Sequence, residues 1–232
     1  MNSYRSAYSG IVMLGIMFAP CVARAGDNSP RNPVLVDEVV ATVNRDVITL
    51  SEIEQEGLLV LVERKGQAGL AREMTFEYLN QVMEFLINQR ILLDEARRLG
   101  LPPITARERE NLLRGFRQRF SSEEGYLRFM YNNGITEEDI GEVLARHLRV
   151  ERLKDRKLRS MPEIKDAEIK RYYNKHRLEL GGNPLEVVAE AIRLKLLTEQ
   201  REEFLANWVW ELRKRSQVKV LVDLAAAYKT SR

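Results

Sequence analysis

Cysteine occurs once and histidine twice in the 232 residues, too few soft ligands for a structural zinc site, an iron-sulfur cluster or a disulfide framework. Glycine (13), proline (7) and aromatic residues (7%) are sparse as well, which argues against a turn-rich all-β architecture. No H-E-x-x-H, glycine-rich phosphate loop or G-x-S-x-G occurs, and no internal repeat or low-complexity tract. What is abundant is charge: 37 Lys and Arg stand against 34 Asp and Glu, beside 44% apolar residues. That mixture is too apolar for a disordered chain and suits helices with one buried stripe and one solvated face.

Residues 1–25 read as an address. Arg5 precedes the apolar run Ile11 to Ala19, and Ala23-Arg24-Ala25 stands before the polar Gly26-Asp27-Asn28-Ser29. The run is well short of the ~20 apolar residues that a membrane-spanning helix needs, so a secretory signal peptide cleaved after Ala25 is expected, with no stable membrane span once it is removed. Cys21 would leave with it, and loss of Arg5 and Arg24 brings the charges near balance. A cysteine-free exported protein suits an oxidising compartment, and a bacterial periplasm or cell surface is expected, the periplasm first. Residues 26–33, with Pro30 and Pro33, read as a disordered lead-in.

Beyond that point Val34–Val43 and Val47–Thr49, separated by Asn44-Arg45-Asp46, predict a hairpin. Thr49 with Glu52 three residues on predicts a helix N-cap, and Ile48 and Ile53 stand where a hydrophobic staple would close. The stripe Phe76, Leu79, Val82, Met83, Leu86, Ile87, Ile91 and Leu92 predicts a long helix that Leu99-Gly100 and Pro102-Pro103 end. Thr105 with Glu108, Ser121 with Glu124 and Thr136 with Asp139 predict three more helix starts before residue 160. A helix over 166–180 and a long one over 185–216 follow, the latter burying Val188, Ile192, Leu196, Leu205, Trp208, Val209 and Leu212. Val218–Val222 alternates as a strand would. The fold class is therefore mainly α, with one small sheet.

Groups for catalysis are scarce. His147 and His176 sit on charged helical segments and are expected to be solvated helix-face residues. The pairs Glu123-Glu124, Glu137-Glu138 and Glu202-Glu203 fall in first turns or on exposed faces, where acids are common without catalytic work. No catalytic residue, metal ligand or cofactor motif is identified, and the expectation is a protein that is not an enzyme. Arg146 to Arg159 forms a basic run, expected as a solvated face paired with acids of a neighbouring helix, or else as an electrostatic patch for an acidic partner. Export argues against nucleic acid. Phe116, Phe120, Tyr126, Phe129, Met130 and Tyr131 form the densest aromatic and methionine cluster. Core packing accounts for most of such a cluster, yet side chains of this kind also adapt to varied apolar partners, and these six are the candidate peptide-binding residues.

The segment Val36-Asp-Glu-Val-Val-Ala-Thr-Val-Asn-Arg-Asp-Val-Ile-Thr-Leu-Ser-Glu-Ile53 resembles the opening of SurA-like periplasmic chaperones. Leu86-Ile-Asn-Gln-Arg-Ile-Leu-Leu-Asp-Glu95 is similar to the core of that family's second long helix, and Ile164 to His176 is similar to the helix leading into a parvulin domain. The long helix from Leu185 and the strand Val218 to Val222 resemble the family's C-terminal return onto the hairpin. At Leu180-Gly-Gly-Asn-Pro184, where the resemblance would place a parvulin-type prolyl isomerase, only a turn stands. The resemblance implies one SurA-like chaperone domain over 34–232, made of a helical part 34–160, a connecting helix 164–180 and the long helix and strand 185–224. It implies binding of unfolded outer-membrane or exported polypeptides in an apolar cleft, without ATP and without isomerase activity, and leaves open a homodimer with exchanged helices. The alternative is an envelope interaction or adaptor protein on the same scaffold.

Overall fold

Asn44 sits at φ 54 in the turn between β1 (Val39–Val43) and β2 (Asp46–Thr49), a left-handed conformation that asparagine tolerates better than most residues. The structure, a computed structural model, describes residues 37–71, 74–222 and 224. The expected signal peptide, the lead-in and Val34–Val36 lie outside the described residues. A third strand, β3 (Val218–Val220), pairs antiparallel with β1 to give the order β2-β1-β3. Asn44 fastens this closure: its N–H donates to the Gln217 carbonyl at 2.8 Å, and its Oδ1 accepts from the Gln217 N–H at 2.9 Å. The C-terminal return onto the hairpin is thus present, and the fold is a mainly helical one with a small three-stranded sheet.

The helix starts follow their caps. Thr49 accepts from Glu52 N–H and opens α1 (Leu50–Lys65), which a 3-10 turn (Gly66–Ala71) follows. Thr75 opens α2 (Phe76–Arg98). Thr105 with Glu108 and Thr136 with Asp139 form complete capping boxes for α3 (Ala106–Arg117) and α5 (Glu137–Leu158). The cap of α4 (Glu123–Asn133) is Ser122, which accepts from Gly125 N–H, and not Ser121, whose hydroxyl bonds Gln67 at 2.9 Å. The helix expected over 166–180 stops earlier, as α6 (Asp166–His176), and α7 runs over Leu185–Lys214.

Two apolar clusters hold these elements. The first joins the sheet to α2, the C-terminal half of α5 and the end of α7 through residues such as Val40, Ile48, Leu86, Ile87, Leu153 and Leu212. The second joins α1, α3, α4 and the N-terminal half of α5. Helix α7 is less buried than its pattern predicts: of the expected inner residues only Ile192 and Leu212 are buried, while Trp208 and Val209 are half-buried against the first cluster. Trp208 is not a core residue; it lies at the α5 boundary with the Lys157 ammonium 5.7 Å from its ring. The reason is geometric, since the first half of α7 packs on α6 and only the second half reaches α2 and α5.

Candidate functional site

The six residues singled out in the sequence divide sharply. Phe116, Phe120, Tyr126 and Phe129 are buried in the second cluster, with Phe120 5.2 Å from Phe129 and 5.5 Å from Tyr126 between ring centroids. Tyr126 is fully buried, its hydroxyl donates to Glu137 at 3.0 Å, and burial together with that carboxylate pushes its pKa up to about 12. Met130 is half-buried against the same cluster, and Tyr131 is exposed. Four of the five rings among these six residues are spent on core packing, and Tyr131 alone of the six projects into solvent.

An apolar groove lies elsewhere, between α1, α2, α5 and α7. Its volume is about 830 Å³, and its walls include Val60, Val82, Phe85, Leu92, Val150, Leu205 and Trp210. Phe85 and Trp210 are 41% and 56% exposed, unusual for large rings on a water-facing helix and expected of a binding surface. Charged groups, among them Glu63, Arg64, Glu151, Lys154 and Arg213, also line it. Several are paired, Arg213 with Glu84 at 2.7 Å and Lys154 with Glu151 at 2.8 Å. Sequence patterning missed the groove because its walls come from four helices far apart in the chain.

Gln89 also lines this groove. It is 2% exposed, and both atoms of its amide are buried with no hydrogen-bond partner among the described residues. Leaving such a group unpaired costs about 1–3 kcal/mol. A primary amide offers donors and an acceptor together, the pair that a peptide backbone complements.

His147, expected in solvent, forms part of the groove wall instead. Its side chain is 17% exposed; Nε2 lies 2.5 Å from Glu56 Oε1 and Nδ1 lies 3.0 Å from Glu63 Oε2. Burial opposes protonation, but the two carboxylates outweigh it and hold the pKa at about 9, so His147 is a cation at neutral pH. Phe85 packs edge-on to the imidazole, 5.7 Å between centroids. Glu56, wholly buried, also faces Arg146 at 3.6 Å, while Glu52 pairs with Arg90. This network binds α5 and α2 to α1 and fixes the floor of the groove. Each imidazole nitrogen is already taken by a separate carboxylate, which suits a structural cation and not a metal ligand. Glu56 and Glu63, seven residues apart on one face of α1, were the signal in the sequence that could have located it. His176 stacks on Tyr172 at 4.3 Å and pairs with Glu179, remote from the groove.

The basic run also divides. Arg152 pairs with Glu108, whose carboxyl the guanidinium and the Thr105 cap hold at about 2, Lys154 pairs with Glu151, and Lys157 lies over the Phe204 ring at 4.9 Å.

A family model described as the SurA-like N-terminal domain matches residues 1–154, and the chain belongs to that family. Proteins named Chaperone SurA are similar to it: one from Bordetella pertussis is 28% identical over 153 residues, covering 63% of this chain and 29% of that protein. Another, from Pseudomonas fluorescens, is 27% identical over 164 residues, covering 69% of this chain and 36% of that protein. The likeness therefore spans about a third of the length of these relatives. The family match covers the β1-β2 hairpin, α1 to α4 and most of α5, whereas the α7 wall of the groove lies beyond it.

Proposed function

We propose that the protein is a chaperone that holds unfolded outer-membrane or exported polypeptides in the groove between α1, α2, α5 and α7, in the periplasm, without ATP and without isomerising proline bonds. The observation that carries this reading is the combination of exposed rings and an unpaired, buried Gln89 amide within one apolar groove. The relatives named as chaperones support the class. Rings and aliphatic side chains would cover strand-prone apolar segments of the client and keep them from pairing with one another. A shift of the buried Gln89 side chain toward the groove would bring its amide to the client's main chain, a contact indifferent to sequence, as a protein with many clients requires. The charged rim keeps the chaperone itself soluble.

The test is aggregation of a denatured outer-membrane protein diluted from urea. The chain is expected to suppress light scattering at near-stoichiometric amounts, and Trp210→Asp to lose most of that suppression while keeping its helical content. Undiminished suppression by that variant would remove the groove from the account.

The adaptor reading rests on a different surface. Leu178, Val187 and Leu194, at and beyond the α6–α7 turn, are 94%, 71% and 56% exposed. A stable one-to-one complex with a single native envelope protein, lost on Val187→Asp and unaffected by Trp210→Asp, would favour it.

A further inference from the structure

On the other side of α5 from the groove, six arginines line a second cavity of about 610 Å³: Arg45 from the hairpin turn, Arg90 and Arg97 from α2, Arg109 from α3, and Arg146 and Arg149 from α5. Three have internal carboxylates. Arg90 pairs with Glu52, Arg97 with Asp46 and Asp94, and Arg146 with Glu52 and Glu56. Arg45, Arg109 and Arg149 have no carboxylate within ion-pair distance among the described residues; Arg149 spends one N–H on the Leu101 carbonyl at 3.0 Å. The Nε atoms of Arg109, Arg146 and Arg149 are moreover buried without a hydrogen-bond acceptor. The acids in the lining are Asp46, already held by Arg97, and the exposed Glu142.

We propose that this cavity is a binding site for a phosphate-bearing dianion, a phosphomonoester or a lipid headgroup that carries one. Three unpaired guanidiniums against one exposed carboxylate leave a surplus of about two positive charges, which a phosphomonoester at −1.5 to −2 neutralises and a single carboxylate does not. Its oxygens are all acceptors, which suits a lining in which Arg45, Arg109 and Arg149 have no carboxylate partner among the described residues. Guanidinium forks match phosphate oxygens in pairs, which explains arginine in place of lysine at every cationic position of the lining. A solvated basic face would instead spread its charges outward, as Arg156 and Arg159 do at the end of the same helix.

The experiment is a titration of the folded full chain with phenyl phosphate, read on the Nε–Hε NMR signals of its arginines. Saturable shifts at Arg109 and Arg149 are expected. Arg149→Gln should weaken binding about tenfold or more, and Arg109→Lys, which keeps the charge and loses the fork, several-fold. Arg45 is exposed in the turn and unpaired, so Arg45→Gln leaves the fold intact and should also weaken binding. A second arm distinguishes the source of the phosphate. Flotation with phosphatidylcholine vesicles containing phosphatidic acid, and not with phosphatidylcholine alone, assigns a lipid headgroup if phenyl phosphate competes and Arg45→Gln reduces it. Saturable phenyl phosphate binding without flotation assigns a soluble ligand. Acetate binding as tightly as phenyl phosphate, affinity unchanged in Arg45→Gln and Arg149→Gln, or no saturable binding in either arm would each overturn the proposal.

Discussion

Gln89 keeps two hydrogen-bonding groups away from water with no internal compensation, so its substitution separates folding from binding. Gln89→Leu preserves volume and removes the unpaired amide; it is expected to leave stability unchanged or raise it by about 1–3 kcal/mol while weakening client binding several-fold. Thermal unfolding beside a client-peptide titration checks this, and a variant that loses stability would mean the amide is satisfied in the folded chain. His147 makes the complementary case, a charge whose worth is structural. Its pKa is raised from 6.5 to about 9, so the stabilisation it brings is complete below pH ~6.5 and is lost as the pH rises through ~9. The full effect is about 3 kcal/mol at most, given a side chain that is mostly buried. Urea midpoints are expected to fall across that window and to stay flatter in His147→Gln, which starts lower because Glu56 loses a cationic partner. Parallel pH profiles for the two proteins would show that the Glu56–His147–Glu63 contact contributes nothing.

Helix α5 shows how one element serves three environments. Its first half packs Ile140, Val143 and Leu144 into the aromatic cluster; farther on, His147 and Val150 face the groove while Arg146 and Arg149 face the arginine-lined cavity. Phe120→Ala, in that aromatic cluster, should cost about 3–5 kcal/mol and leave client affinity per folded molecule unchanged; urea titration together with peptide binding measures both, and an affinity loss at full folding would return the cluster to the binding site. Capping boxes at Thr105 and Thr136, the stop after Leu99-Gly100 and the hairpin around Asn44 were legible because each is decided within a few residues. The Ser122 cap fell one residue from its expected place because two serines compete and tertiary contact with Gln67 occupies Ser121. The groove was not legible, and Glu56 and Glu63 on one face of α1 were the only local hint to the setting of His147, since both depend on how α1, α2, α5 and α7 lie against one another. The aromatic cluster was expected to pack for the most part into the core, as Phe116, Phe120, Tyr126 and Phe129 do, but nothing local distinguished those rings from Tyr131, which is exposed.

At the scale of the whole molecule, β3 returns to the hairpin and draws α7 across α2 and α5, so the groove is closed by an element that follows the family-matched region. Client capture should therefore depend on α7 as much as on α1 and α2. Photo-crosslinkers placed singly at Gln81 and Ala206, both exposed groove positions on α2 and α7, and at Tyr131, the exposed member of the aromatic cluster, compare the two surfaces in one experiment with a denatured outer-membrane protein. The account predicts strong adducts from Gln81 and Ala206 and few from Tyr131. Adducts concentrated at Tyr131, with the two groove positions silent, would contradict it.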